Sequence, residues 1–124
     1  MKKTRILVID GQGGGIGRQL TEGIKANFPD LLITAVGTNV MATQAMIKAG
    51  ADEAATGENA VLVACKKADM IVGPIGIAIA DSLMGEITPA MAAAVGQSAA
   101  VRILLPINQC GNRVVGIDNL SMGF

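Results

Sequence analysis

Uninterrupted apolar runs alternate along this chain with stretches in which apolar residues recur every third or fourth position. Residues 5–10, RILVID, are an apolar run closed by an acid, as expected of a parallel strand covered on both faces. Ile16, Leu20, Ile24 and Phe28 then repeat at helical spacing, with Arg18, Gln19, Glu22 and Lys25 on the other faces. Pro29 stops this helix, because proline disfavours helical geometry in the residue before it. Residues 31–36 predict a second strand, after which Thr38 or Asn39 caps a helix with the apolar stripe Ala42, Ala45, Met46 and Ala49. Gly50 supplies that helix with a left-handed end.

Residues 52–55 predict a short third strand and residues 56–59 a loop and cap. A third helix runs to about Lys67, with Val61, Leu62, Cys65 and Ala68 for packing. Residues 69–73 predict a fourth strand, and the turn Pro74-Ile75-Gly76 leads to a short helix ending near Gly85. Thr88-Pro89 opens another helix well, since threonine caps and proline at the first helical position loses no needed donor. Residues 101–107 and 113–117 read as two strands around a turn at 108–112 too short for a crossover, so that pair is antiparallel. The expected fold is α/β, a three-layer Rossmann-like sandwich with a mostly parallel sheet in the order 3-2-1-4-5 and an antiparallel edge strand 6. One domain over residues 1–124 is expected, as the chain is too short for separate cofactor and substrate domains.

Charge narrows the partners. Ten basic and ten acidic residues cancel, which leaves no overall field to attract nucleic acid or an anionic membrane. The apolar stretch 70–80 is broken by glycines and a proline and is too short for a membrane span. The run after the basic start meets Asp10 before it reaches signal-peptide length, so a cytoplasmic protein is expected. Cys65 and Cys110 are expected as free thiols. The chain has no histidine, tyrosine or tryptophan, which removes the commonest general base and zinc ligand and the phenol acids.

The candidate chemistry sits between the first strand and first helix, in Asp10, Gly11, Gln12, Gly13, Gly14, Gly15, Ile16 and Gly17. Glycines there let the backbone turn and approach a phosphate, while unpaired amides at the helix start face the anion. Close packing of a small domain explains the same glycines without a ligand. The spacing of Gly11, Gly15 and Gly17, with Ile16-Gly17 at its end, resembles the NAD(P)-binding fingerprint of short-chain dehydrogenases. That resemblance implies that Gly11 makes the turn, Gly15 the approach to the cofactor and Gly17 the contact of helix with sheet. The family's Tyr-x-x-x-Lys pair has no counterpart, and Gly37-Thr38-Asn39 stands where a ribose-binding acid is expected. Residues 13–19 also resemble a triphosphatase phosphate loop, without its lysine or its serine or threonine. Over most of its length the chain resembles a short bacterial family of unassigned function with Rossmann-like topology.

Around the loop, Asp10 can bind magnesium, a ribose hydroxyl or a loop amide. Thr38 and Asn39 can reach ribose or phosphate, or cap the next helix. Gly73 and Pro74, with Gly76, line the same crevice or serve packing. Asp81 and Asp118 form no metal set, and Cys110 in its turn has no histidine to activate it. The reading that follows is a small nucleotide- or phosphometabolite-binding protein, with NAD(P) or another nucleotide as ligand and the reaction open. The alternative is a non-catalytic homo-oligomeric scaffold with a degenerate site. A homodimer is expected through the alanine-rich helix, which offers Met91, Ala92, Val95 and Ala99 to the sheet and Ala90, Ala93, Ala94 and Gly96 to a partner.

Overall fold

The computed structural model describes residues 3–107 and 111–117. The strands are β1 (Arg5–Asp10), β2 (Leu32–Gly37), β3 (Glu53–Thr56), β4 (Met70–Pro74) and β5 (Val101–Leu105). The helices are α1 (Gly15–Asn27), α2 (Val40–Lys48), α3 (Glu58–Lys67) and α4 (Pro89–Gln97), with a 3-10 turn at Ile75–Ala78. All strand pairs are parallel, in the order β3-β2-β1-β4-β5. This is an α/β fold with the expected order.

Alternation along the strands divides the core between two faces. Ile6 and Val8 pack with Ile33, Ala35, Val72 and Met46 under α1 and α2. Leu7 and Ile9 pack with Val36, Ile71, Val61, Cys65, Met91 and Val95 under α3 and α4. The chain moves from β1 outward through β2 and β3, then returns to the other side of β1 with β4. The sheet order therefore reverses between β1 and β4, where parallel α/β sheets open a crevice at their carboxyl ends.

Asn39 caps α2 through its side-chain oxygen, which accepts from the Ala42 amide at 2.9 Å. Thr88 caps α4 in the same way at Met91, with Pro89 in the first turn. Asp52 ties β3 to its neighbours: its Oδ2 accepts from the Ile33 amide and from Lys25 Nζ, each at 2.8 Å. Those two partners, the amide first, hold its carboxyl below the ordinary range.

Three expectations are corrected. Residues 111–117 form no strand; Gly116 has a φ of 86° and Val115 is 96% exposed, so a turn interrupts the run before it can pair. β5 is thus a parallel strand at the edge, and the expected turn at 108–110 lies outside the described residues. The expected helix up to Gly85 is only the 3-10 turn, because Asp81, Leu83 and Met84 take left-handed φ of 67°, 57° and 56°. On α1, Phe28 is exposed while the small residues Gly17 and Thr21 are buried, which lets the helix lie close to the sheet.

Gly17 sets that distance. A Cβ there would stand 2.6 Å from Met46 Sδ and 2.8 Å from Asp10 Cβ, whereas a Cβ at exposed Gly23 meets nothing within 4 Å. Gly17→Ala should therefore destabilise by about 1–3 kcal/mol through overpacking. Gly23→Ala should stabilise by about 0.5–1 kcal/mol through helix propensity. Urea denaturation of both variants checks the opposite signs.

Candidate functional site

β1 delivers Asp10 to the carboxyl edge of the sheet, where the residue is 4% exposed. Asp10 Oδ1 accepts from the Gly11 amide at 2.8 Å and Oδ2 from the Gly17 amide at 2.6 Å. One carboxylate therefore closes both ends of the glycine loop. Burial raises its pKa despite the two amides, and the charge of Glu86 adds to the rise. With both oxygens engaged, Asp10 satisfies the turn it begins.

The partners of the loop amides define the candidate site. Gly11 and Gly17 donate to Asp10, Gly14 donates to the Gly11 carbonyl at 2.9 Å, and Gln12 donates to Glu86 at 2.8 Å. Among the described residues, no acceptor meets the N–H groups of Gly13, Gly15 or Ile16. Two of these lie in the first turn of α1, where the helix dipole favours an anion. A Cβ at Gly13 or Gly15 would meet nothing within 4 Å, so the approach to them is open. Gly14 is different: with a φ of 74°, its added Cβ would stand 2.7 Å from the Ala42 backbone.

Thr38 and Asn39, at the end of β2, face the same loop. Asn39 Nδ2 donates to the Gln12 carbonyl at 2.9 Å while its oxygen caps α2, so it both ends one element and fastens another. The Thr38 amide donates to the Asp10 carbonyl at 3.0 Å. Gly11 is closely packed here, since a Cβ would stand 2.5 Å from Thr38 Oγ1 and 2.8 Å from Glu86 Oε1. Gly73 serves packing, as its Cβ would lie 2.5 Å from the Ile9 carbonyl oxygen, and buried Pro74 leads into the 3-10 turn.

Glu86 is the residue that sequence reasoning missed. Its Oε1 accepts from Thr38 Oγ1 at 2.5 Å, the Gln12 amide at 2.8 Å and Asn39 Nδ2 at 3.0 Å. Partial desolvation pushes its pKa up, but the bonds from Thr38, Gln12 and Asn39 together bring it below the ordinary glutamate value. One signal was available: Asp81 and Glu86 are the sole charged residues between Asp69 and Arg102. Asp81 is exposed and belongs to the turn that leads to Glu86. Asp118 and Cys110 lie outside the described residues.

A cleft of about 660 Å3 adjoins the loop, lined by Gln12, residues 79–84 and Asn112. It lies between the segment after β1 and the segment after β4, and its volume is in the range of small-molecule sites. A smaller groove of about 240 Å3 lies between α3 and the sheet. There Glu53 Oε1 already accepts from Arg5 Nη1 at 3.2 Å and Thr34 Oγ1 at 2.7 Å. Cys65 is buried and its thiol is raised to about 11 by desolvation, which leaves it unreactive at neutral pH.

A family model described as Domain of unknown function (DUF3842) matches residues 5–123. The chain belongs to that family. No curated protein matches it. The DUF3842 match brings no support for the short-chain dehydrogenase fingerprint, and the geometry departs from an open nucleotide loop at Gln12, whose amide is already bonded to Glu86. Among the described residues, no helix is long and apolar enough to cross a membrane, and no cluster of three or more metal-ligating side chains occurs.

The depressed pKa of Glu86 means that its three bonds stabilise the fold at neutral pH. That contribution fades as pH falls from the ordinary glutamate value through the depressed one. Glu86→Gln should therefore lower stability by about 1 kcal/mol at pH 7, a figure reduced for partial exposure. Denaturant titrations at pH 7 and pH 3 should show the gap between wild type and variant closing at the acid end.

Proposed function

We propose that this DUF3842 chain binds a small phosphate-bearing ligand, a nucleotide or a phosphorylated metabolite, at residues 11–17. The observation that carries this reading is the set of amides at Gly13, Gly15 and Ile16, which have no acceptor among the described residues at the positive end of a 13-residue helix. Open space over Gly13 and Gly15 and the adjoining cleft support it. NAD(P) is one ligand of this class. The side chains at the loop offer positioning more readily than proton transfer, since Asp10 is sequestered by two amides and Glu86 by three donors. Binding is therefore the activity proposed, with no reaction assigned.

The test is calorimetry and thermal unfolding with NAD, NADP, FAD, FMN, ADP and ATP. A ligand held only by the folded state, at about one hundred times its Kd, should stabilise by about 2.7 kcal/mol, a rise in Tm of roughly 5–10 °C. Gly15→Leu should leave the unliganded Tm within about 2 °C, because the space above Gly15 is open, and should weaken binding by at least about tenfold. Heats and melting temperatures unmoved by the whole panel would overturn the reading.

A second reading, pairing of two copies through α4, is favoured by the outward face of that helix. Ala90, Ala93 and Gly96 are exposed there and carry no charge, while Met91, Ala92 and Val95 are buried against the sheet. Light scattering should give twice the 12.6 kDa chain mass, and Ala93→Glu should return it to one chain. A single-chain mass in the micromolar range would dismiss the pairing.

A further inference from the structure

We infer that Glu86 is an intramolecular anion that occupies part of the phosphate-receiving donor set and is displaced by the incoming ligand. This inference rests on the proposed phosphate site and adds a competitor built into the fold. Three donors of different kinds, a main-chain amide, a hydroxyl and a side-chain amide, converge on the single oxygen Glu86 Oε1. Such a set receives any oxyanion, and carboxylate and phosphate oxygens are interchangeable to it. Its amide donor is Gln12, which lies between Gly11 and Gly13 inside the proposed site.

The segment that brings Glu86 is built so that the side chain can leave. Leu83 and Ile87 are buried on either side of it, while Met84 is 95% exposed. The segment also closes on itself, with the Asp81 amide donating to the Ile87 carbonyl at 2.7 Å and the Ile87 amide to the Ser82 carbonyl at 3.2 Å. Rotation of Glu86 away from the loop therefore breaks three polar bonds and leaves the apolar anchors in place. The left-handed backbone at Asp81, Leu83 and Met84 is an arrangement that side chains adopt only when surrounding contacts hold it. Removal of the carboxylate also takes one negative charge from the vicinity of Asp10 and of the entering phosphate.

The favoured ligand class follows. A terminal phosphate, with up to two negative charges and three free oxygens on one phosphorus, competes with a carboxylate for these donors better than a pyrophosphate bridge, whose phosphates carry one charge and two free oxygens each. ADP and inorganic phosphate should therefore compete for the set more strongly than NAD. Binding of inorganic phosphate would show that the phosphate itself is recognised, and binding of ADP alone would show that the nucleoside is needed too. Both results accord with displacement.

Calorimetry on wild type, Glu86→Gln and Glu86→Ala with ADP and with phosphate tests the inference, alongside hydrogen exchange of the wild type. A carboxylate that fills the set nine-tenths of the time lowers apparent affinity about tenfold, so both variants should bind ADP about ten times more tightly than wild type. On adding ADP to wild type, the amides of 82–87 should exchange faster and those of 12–16 more slowly. If wild type binds ADP and the variants bind it equally or more weakly, Glu86 is a tie that organises the site, and displacement is overturned while the phosphate site stands. Greater protection of 82–87 on binding would overturn displacement in the same way, even were the variants unable to fold. Absence of binding by wild type and both variants would overturn the phosphate site and the displacement with it.

Discussion

A single buried carboxylate holds the glycine loop in shape. Asp10 takes the Gly11 amide on one oxygen and the Gly17 amide on the other, so the end of β1 and the first turn of α1 are fastened to the same side chain. A buried carboxylate is costly without such donors. With them, it fixes the entry of α1 and leaves the amides between its two contacts to find other partners. Gly14 finds the Gly11 carbonyl and Gln12 finds Glu86; among the described residues, Gly13, Gly15 and Ile16 find no acceptor. The same aspartate that shapes the proposed site thereby has both oxygens engaged, and the binding proposed for the loop rests on its backbone.

The packing around the loop follows from small residues at the points of contact. Gly17 lets α1 settle on Asp10 and Met46, and Gly73 lets β4 approach the Ile9 carbonyl. Neither position needs a ligand to account for its glycine. Gly13 and Gly15 are different in kind, since a Cβ at either would have no packing neighbour within 4 Å among the described residues. The glycine-rich stretch thus contains structural glycines at 11, 14 and 17 and two whose smallness has no packing cause.

Much of the fold was legible because the central parallel strands β1, β2 and β4 are largely buried and therefore appear as short apolar runs, as in residues 6–9 and 71–73. Helix starts at Asn39 and Thr88 were legible from capping chemistry, which is local. Elements decided by backbone conformation were not. Residues 113–117 have strand-like composition, but the left-handed Gly116 makes a turn; the segment after the 3-10 turn has helical composition, but Asp81, Leu83 and Met84 leave the helical region. Of the site, Asp10, the loop and the pair Thr38 and Asn39 were visible as neighbours of strand ends. Glu86 was not, because it reaches Gln12 across 74 residues and Thr38 across 48, and no periodic pattern records such a contact.

The proposed phosphate site rests on loop amides that have no acceptor among the described residues, and nuclear magnetic resonance observes those amides one by one. In a titration of the 15N-labelled chain with ADP, the Gly13, Gly15 and Ile16 resonances should shift most and saturate together, while exposed Gly23 at the middle of α1 stays in place. Saturating ADP that leaves those three resonances unmoved would overturn phosphate binding by these amides.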